Sequence, residues 1–302
     1  MSTEQRLDDA VREVRHSGLH LSKQRGQCLL RSAEVMEQIL AGAEVGPADL
    51  VIDIGTGPGT TTPLVAPRCG HYIGVEIDAA CFAQLRAKTA GLANCTLIHA
   101  DILNGKRSLN PVVVAGIMGH AAAWPGPVKM VANLPYHVAT PVIMRFLLQN
   151  RIRLERMVVM IQREMARKLI ARPGSELYGA VAALAAATGE VSILFDVSRQ
   201  AFFPVPQVDS TVVLIRPHGS DRRGVAEADL AGFEAFVKDL FKYRRKKAVN
   251  SIMNARVSPL AKDAVLAAME AAGVRPGIGI NDCTVADLVN LHRALVRPEG
   301  TA

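Results

Sequence analysis

Aromatic residues are scarce in this chain, 4% of 302 positions with Trp124 as the one tryptophan, so a ring beside a motif is more informative than usual. Cysteine is thin as well. Cys28, Cys69, Cys81, Cys95 and Cys283 are dispersed, odd in number and without metal-ligand spacing. That pattern excludes a disulfide framework, gives no metal site, and points to a reducing cytoplasm. No apolar run reaches membrane-spanning length. A signal peptide is missing too, because Met1 to His16 is mixed in charge, with Leu7, Val11 and Val14 at helical spacing. Those residues read as an amphipathic helix or arm. There is no internal repeat and no low-complexity tract. Nor is there an acidic excess. The net charge of +7 and the pI near 9.3 favour an anionic partner such as nucleic acid.

What is present is alternation. Apolar strands at Asp49–Ile54, His71–Glu76, Thr96–Ala100, Val128–Ala132 and Arg156–Gln162 are separated by helical patterns. Helices are expected from about Ser32, over Ala79–Ala90, over His137–Leu148 and over Arg163–Ala171. The stretch from Asn104 to Pro127 is expected to cross as a helix or loop. Two last strands, Glu190–Ser198 and Ser210–Arg216, have no long helix between them and can pair antiparallel at one edge. This is an α/β chain with a mostly parallel, Rossmann-like sheet. After Pro217 only helical patterns remain, at Glu227–Tyr243, Arg244–Asn254 and Ala264–Ala272. The expected division is an N-terminal arm or helix over 1–22, an α/β domain over 23–218, and a small all-α domain over 219–302.

The first strand runs into Gly55-Thr56-Gly57-Pro58-Gly59. Glycines there let the backbone approach a ligand at the carboxyl ends of the strands. Glu76 ends the next strand, where a carboxylate can accept from both ribose hydroxyls, as it does in dinucleotide enzymes. Asp101 follows the third strand and can accept from an adenine amine. The fourth strand leads into Asn133-Leu134-Pro135-Tyr136. Its amide and carbonyls can accept hydrogen bonds from an amino group. Its proline fixes the turn, and its ring offers a flat base a stacking surface. Taken singly, each acid reads equally well as a solvated strand end, and the turn as punctuation. Four such groups at successive strand ends point to an adenosine-bearing ligand beside a polar reaction centre. S-adenosylmethionine fits better than a dinucleotide, because it has no pyrophosphate for a helix N-terminus to hold.

In these stretches the chain resembles the ribosomal RNA adenine dimethyltransferases. The resemblance is carried by Arg25-Gly26-Gln27, Asp53-Ile54-Gly55-Thr56-Gly57, Asn133-Leu134-Pro135-Tyr136, Ala139-Thr140-Pro141 and Gln162-Arg163-Glu164. It continues through Pro173-Gly174-Ser175 with Tyr178-Gly179, Phe202 with Pro204 and Pro206, Val208-Asp209-Ser210, and Phe241 with Arg244-Arg245-Lys246. It implies a class I methyltransferase sheet and S-adenosylmethionine-dependent N6,N6-dimethylation. The implied substrate is two adjacent adenosines in the 3'-terminal hairpin loop of small-subunit ribosomal RNA, on an assembling subunit in the cytoplasm. A monomer without metal is expected. By the same resemblance, Gln27, Cys28, Leu30, Gly55, Thr56, Gly57, Glu76, Ile77, Asp101, Ile102 and Asn133 hold the cofactor. Asn133, Leu134, Pro135 and Tyr136 form the catalytic turn, with Phe202 on the other face of the target base. Departures from the family pattern stand at Cys28 (usually Asn), Leu29 (usually Phe), Asp53 (usually Glu), Thr56 (usually Pro) and Gln207 (usually Lys). Losing Asn at Cys28 removes one polar contact to the cofactor, which backbone groups there can replace.

Lys242-Tyr243-Arg244-Arg245-Lys246-Lys247 is the densest basic run. With Arg222, Arg223 and Lys238 it reads either as a solvated helix face or as a surface for an RNA backbone. Arg163, Arg167 and Lys168 extend the candidate RNA contacts. Two other functions stay open: a resistance-type methyltransferase of large-subunit RNA, and a ribosome-assembly factor that binds RNA but methylates poorly.

Overall fold

The computed structural model describes residues 3–16, 18–19, 27–105, 108–148, 151–219, 224–255 and 261–296. Strands form where β-branched and other apolar residues run together. They are β1 (Leu50–Ile54), β2 (His71–Glu76), β3 (Cys95–His99), β4 (Val128–Asn133), β5 (Arg156–Gln162), β6 (Gly189–Val197) and β7 (Ser210–Pro217). All seven make one sheet in the order β3-β2-β1-β4-β5-β7-β6. From β3 to β5 every neighbouring pair is parallel. β7 then runs antiparallel to β5, from Ser210 opposite Gln162 to Ile215 opposite Met157. The antiparallel strand is therefore second from the edge, and β6 is outermost. The order reverses at β1, with β2 on one side and β4 on the other. A crevice is expected at the carboxyl ends on either side of such a reversal.

Local chemistry starts and stops the helices. Ser32 Oγ accepts from the Val35 amide to cap the Ala33–Ala43 helix, which ends at Glu44 in the left-handed region. Asp78 caps Ala79–Thr89 by accepting from the Ala80 and Cys81 amides. The stretch expected to cross after Asn104 contains a two-strand pair, Leu103–Asn104 with Ser108–Leu109, and then a Pro111–Ala121 helix capped by Asn110. The Thr3–His16 helix buries Leu7, Val11 and Val14, the face read from their spacing. At the amino ends of the strands, Lys129 and Asp49 are both buried, and their charged groups lie 2.8 Å apart.

The chain divides into two compact units. One takes Met1–Phe146, Asn150–Ala166 and Ser192–Pro217; the other takes Leu147–Gln149, Arg167–Val191 and His218–Ala302. Helices Ala180–Thr188, Leu230–Phe241, Ala248–Asn254, Lys262–Ala271 and Val285–Val296 belong to the second unit. Phe233, Phe236, Leu240, Met269, Leu288 and Leu291 are among its buried apolar side chains.

The basic run in this unit departs from expectation. The helix before it stops at Phe241 and the next begins at Ala248, so Lys242–Lys247 forms a turn rather than a helix face. The Lys242 and Tyr243 amides bond back only three residues, to Asp239 and Leu240. Lys247 bridges to Gly279, and the Ala248 amide donates to Ile278. Pairing with this distant segment overrides the helical propensity of the run.

Candidate active site

The site is built at the carboxyl ends of β3, β2, β1 and β4. Gly55 leaves β1 with φ of +76°, and its amide and that of Thr56 donate to Val75 O at the end of β2. A Cβ on Gly55 would lie 2.8 Å from Pro135 Cδ, so only glycine lets the first loop meet the turn after β4. Gly57, also at positive φ, donates its amide to Glu76 Oε2 at 2.7 Å. Glu76 Oε1 accepts from the Asp78 amide at 2.8 Å. Asp101 Oδ1 accepts from the Leu103 amide at 2.9 Å, which orients its carboxylate.

One cleft runs along these strand ends. Gln27, Cys28, Leu30, Gly55, Thr56, Gly57, Glu76, Ile77, Asp101, Ile102 and Asn133 all line it. The reading of the sequence missed other wall residues. Pro58, Thr60 and Thr61 continue the glycine loop, so loop continuity could have found them. Met36 and Ile39 share the buried face of the Ala33–Ala43 helix, and helical spacing does not separate them from ordinary core. His137 is exposed on the wall, beside the turn.

The wall carries the carboxylates of Asp53, Glu76 and Asp101 and, among the described residues, no Lys or Arg. A pyrophosphate needs cations or an open helix N-terminus. S-adenosylmethionine is net cationic and has a ribose diol and an adenine amine, all of which suit carboxylates. The residues present therefore fit S-adenosylmethionine and disfavour a dinucleotide.

Burial sets the protonation of this wall. Desolvation pushes Asp53 up to about 7; the Tyr72 hydroxyl, donating at 2.7 Å, pulls the other way, and the charge of Glu76 adds to the rise. Glu76 is also raised by burial, against the stabilising amides of Asp78 and Gly57. Burial raises the Cys28 thiol, which keeps it protonated and a poor nucleophile.

The turn after β4 is held from two sides. Asn133 Nδ2 donates to the Cys28 carbonyl at 3.1 Å. A carbonyl can only accept, so the amide nitrogen must face Cys28 and Oδ1 is turned away from it. The contact uses the backbone of Cys28, so it does not depend on the side chain at that position. The Tyr136 hydroxyl lies 2.9 Å from Ser210 Oγ, with the ring half-buried. Pro135 lines the cleft and its carbonyl accepts from Val138 and Ala139 to start the Ala139–Leu148 helix. Leu134 is buried beneath the turn, its amide bonded to Met160 O. Phe202 corrects the expectation. It is 1% exposed, pairs with Leu30 in a short antiparallel ladder, and packs with Leu30, Val197 and Met160 in the core. It presents no face to a base.

The candidate RNA-binding residues have differing surroundings. Arg163 is paired to Asp196 and Asp209 at 3.3 and 3.1 Å. Arg167 is exposed and Lys168 half-buried. Lys242 pairs with Asp239, while Arg244 donates to the carbonyls of Glu176 and Tyr178. Arg245, Lys246 and Lys247 are exposed, with Lys246 Nζ 5.3 Å from the Tyr243 ring centroid. Arg25, Gly26, Arg222 and Arg223 lie outside the described residues.

Sheet order, glycine turn and acidic cleft define an S-adenosylmethionine-dependent class I methyltransferase. Among solved structures, a dimethyladenosine transferase from Plasmodium falciparum superposes with a TM-score of 0.70 at 18% identity, covering 87% of this chain and 95% of that one. The 23S rRNA methyltransferase ErmE gives 0.61 at 25% identity, over 89% of this chain and 99% of its own. The sequence profile of the family described as ribosomal RNA adenine dimethylase matches residues 18–295, and the chain belongs to that family of rRNA adenine dimethyltransferases. It is 35% identical over 263 residues to the ribosomal RNA small subunit methyltransferase A of Moorella thermoacetica, covering 87% of this chain and 88% of that protein. The corresponding protein of Ligilactobacillus salivarius is 33% identical over 282 residues, covering 93% and 92%.

Proposed function

We propose that the protein dimethylates N6 of two adjacent adenosines in the 3'-terminal hairpin loop of small-subunit ribosomal RNA, on an assembling subunit in the cytoplasm. The small-subunit target is supported by the name shared by its relatives, which cover most of the chain. The observation that carries the chemistry is the hydrogen bond from Asn133 Nδ2 to the Cys28 carbonyl. It fixes Asn133 Oδ1 as an acceptor at the end of β4, beside the cleft.

Glu76 would accept from the ribose hydroxyls of S-adenosylmethionine, and Asp101 from its adenine amine. The bound cofactor supplies an electrophilic methyl group on a sulfonium. An adenine N6 is a weak nucleophile because its lone pair is delocalised into the ring. Asn133 Oδ1 and the Leu134 carbonyl draw its two hydrogens out of conjugation and localise that pair. Tyr136 stacks on the flipped base, so most of the rate comes from positioning and fixed dipoles. In the helical unit, Arg245, Lys246 and Lys247 contact phosphates and set the register of the RNA.

The test is incubation with labelled cofactor and undermethylated small subunits, against naked large-subunit RNA. Dimethyladenosine in the small-subunit arm alone is the expected result. Label in the large-subunit arm alone would replace the target with the resistance type. No cofactor binding by calorimetry, with RNA binding intact and label in neither arm, would favour a binding factor.

A further inference from the structure

Ser210 is 0% exposed, opens β7, and takes no part in the chemistry above. Its hydroxyl is 2.9 Å from the Tyr136 hydroxyl. Its neighbours on both sides are tied to one cation. Asp209 pairs with Arg163 at 3.1 Å, and its carbonyl accepts the Arg163 amide. Thr211 donates to Asp196 Oδ1 at 2.5 Å, and Asp196 Oδ2 lies 3.3 Å from Arg163 Nε. Asp209 Oδ1 also accepts from the Arg199 amide, and Arg199 Nη1 donates to Gln207 O. Arg163 follows β5 directly, so this clamp joins the end of β5, the end of β6 and the start of β7. Arg163 Nε is buried without a hydrogen-bond partner, so its hold on Asp196 is an ion pair at 3.3 Å. Burial raises the Tyr136 phenol, so it stays protonated and free to bond.

We propose that Ser210 is a positioning residue of the methyl-acceptor pocket, anchoring the Tyr136 ring, with Arg163, Asp196 and Asp209 holding Ser210 in place. The proposal rests on the reading of Tyr136 as the stacking surface. It moves Arg163 from an RNA contact to an internal brace. A tyrosine ring free to swing would still let a base enter, but would not hold N6 at the two acceptors.

The test uses the full chain labelled with 3-fluorotyrosine, wild type and Ser210→Ala, with Tyr136→Phe to assign the line of Tyr136. The wild-type line should lie away from that of free fluorotyrosine, and Ser210→Ala should move it toward the free value. On undermethylated small subunits, Ser210→Ala and Tyr136→Phe should each lower kcat about tenfold, a hydrogen bond's worth. Cofactor affinity by calorimetry and KM should stay within about twofold, and the double variant should be no slower than the slower single. An unmoved fluorine line, or single effects that multiply, overturns the proposal. If Ser210→Ala fails to fold, Tyr136→Phe breaks the same bond from its other end and decides the kcat arm. If the wild type does not methylate small subunits, the proposed substrate fails, while the fluorine line still decides whether Ser210 holds the ring.

Discussion

The two ends of the central sheet treat buried charge in opposite ways. At the amino ends Lys129 meets Asp49 at 2.8 Å and donates to the Glu44 carbonyl. Each charge is answered within the protein. At the carboxyl ends Asp53 and Glu76 are as deeply buried, at 5% and 4% exposed, yet no Lys or Arg lines the cleft among the described residues. Their partners are the Tyr72 hydroxyl and backbone amides. One end uses its carboxylate for structure. The other leaves two on the cleft wall with no countercharge among the described residues, and burial raises both.

Breaking the amino end should have the largest effect. Lys129→Met leaves Asp49 buried without its countercharge, with the Gly46 amide as remaining donor, and urea unfolding should show a loss of about 3–5 kcal/mol. Adding Asp49→Leu should recover most of it, and cofactor affinity of the folded fraction should not change. No recovery in the double variant would mean that the end is not held by this pair.

At the carboxyl end, Asn133→Ala removes the fixed acceptor. Its kcat should fall about 10²–10³-fold, with the melting temperature and RNA affinity preserved. A fall in RNA affinity of the same size would place Asn133 in binding rather than chemistry.

Asp53 gives the next effect, and its sign follows from linkage. Its folded carboxyl titrates at about 7, against roughly 3.9 for an unfolded aspartate. Between those values the folded state keeps a proton that the unfolded state has lost, so stability falls as pH rises. The penalty is absent below the unfolded pKa and complete above about pH 7. Asp53→Asn should therefore be more stable than wild type by on the order of 4 kcal/mol at pH 8, and equal to it near pH 3. Parallel stability curves across that range would remove this contrast between the ends.

The smallest effect belongs to the exposed basic turn. Lys246→Ala with Lys247→Ala should reduce the slope of log affinity against log salt by about 1–2 and leave kcat at saturating RNA unchanged. An unchanged slope would take the turn off the RNA.

The sequence by itself determined the seven strands of the sheet, the Ser32 cap and part of the cleft wall. Asp49–Ile54 and His71–Glu76 are legible because a buried parallel strand needs a run of apolar residues. Gly55 and Glu76 are legible because a tight turn and a strand-end acid are local facts. Tertiary structure decided the rest, because a side chain's partner is chosen by residues far away in the chain. Asn133 is oriented by a carbonyl 105 positions distant, which no local pattern announces. Phe202 reads as a stacking ring until its pairing with Leu30 buries it. Arg163 looks like one more surface cation until β6 and β7 bring Asp196 and Asp209 to it. The run Lys242–Lys247 has helical composition, but its bridge to Gly279 makes it a turn. Composition sets what each residue can bond with, and the fold alone sets which partner is within reach.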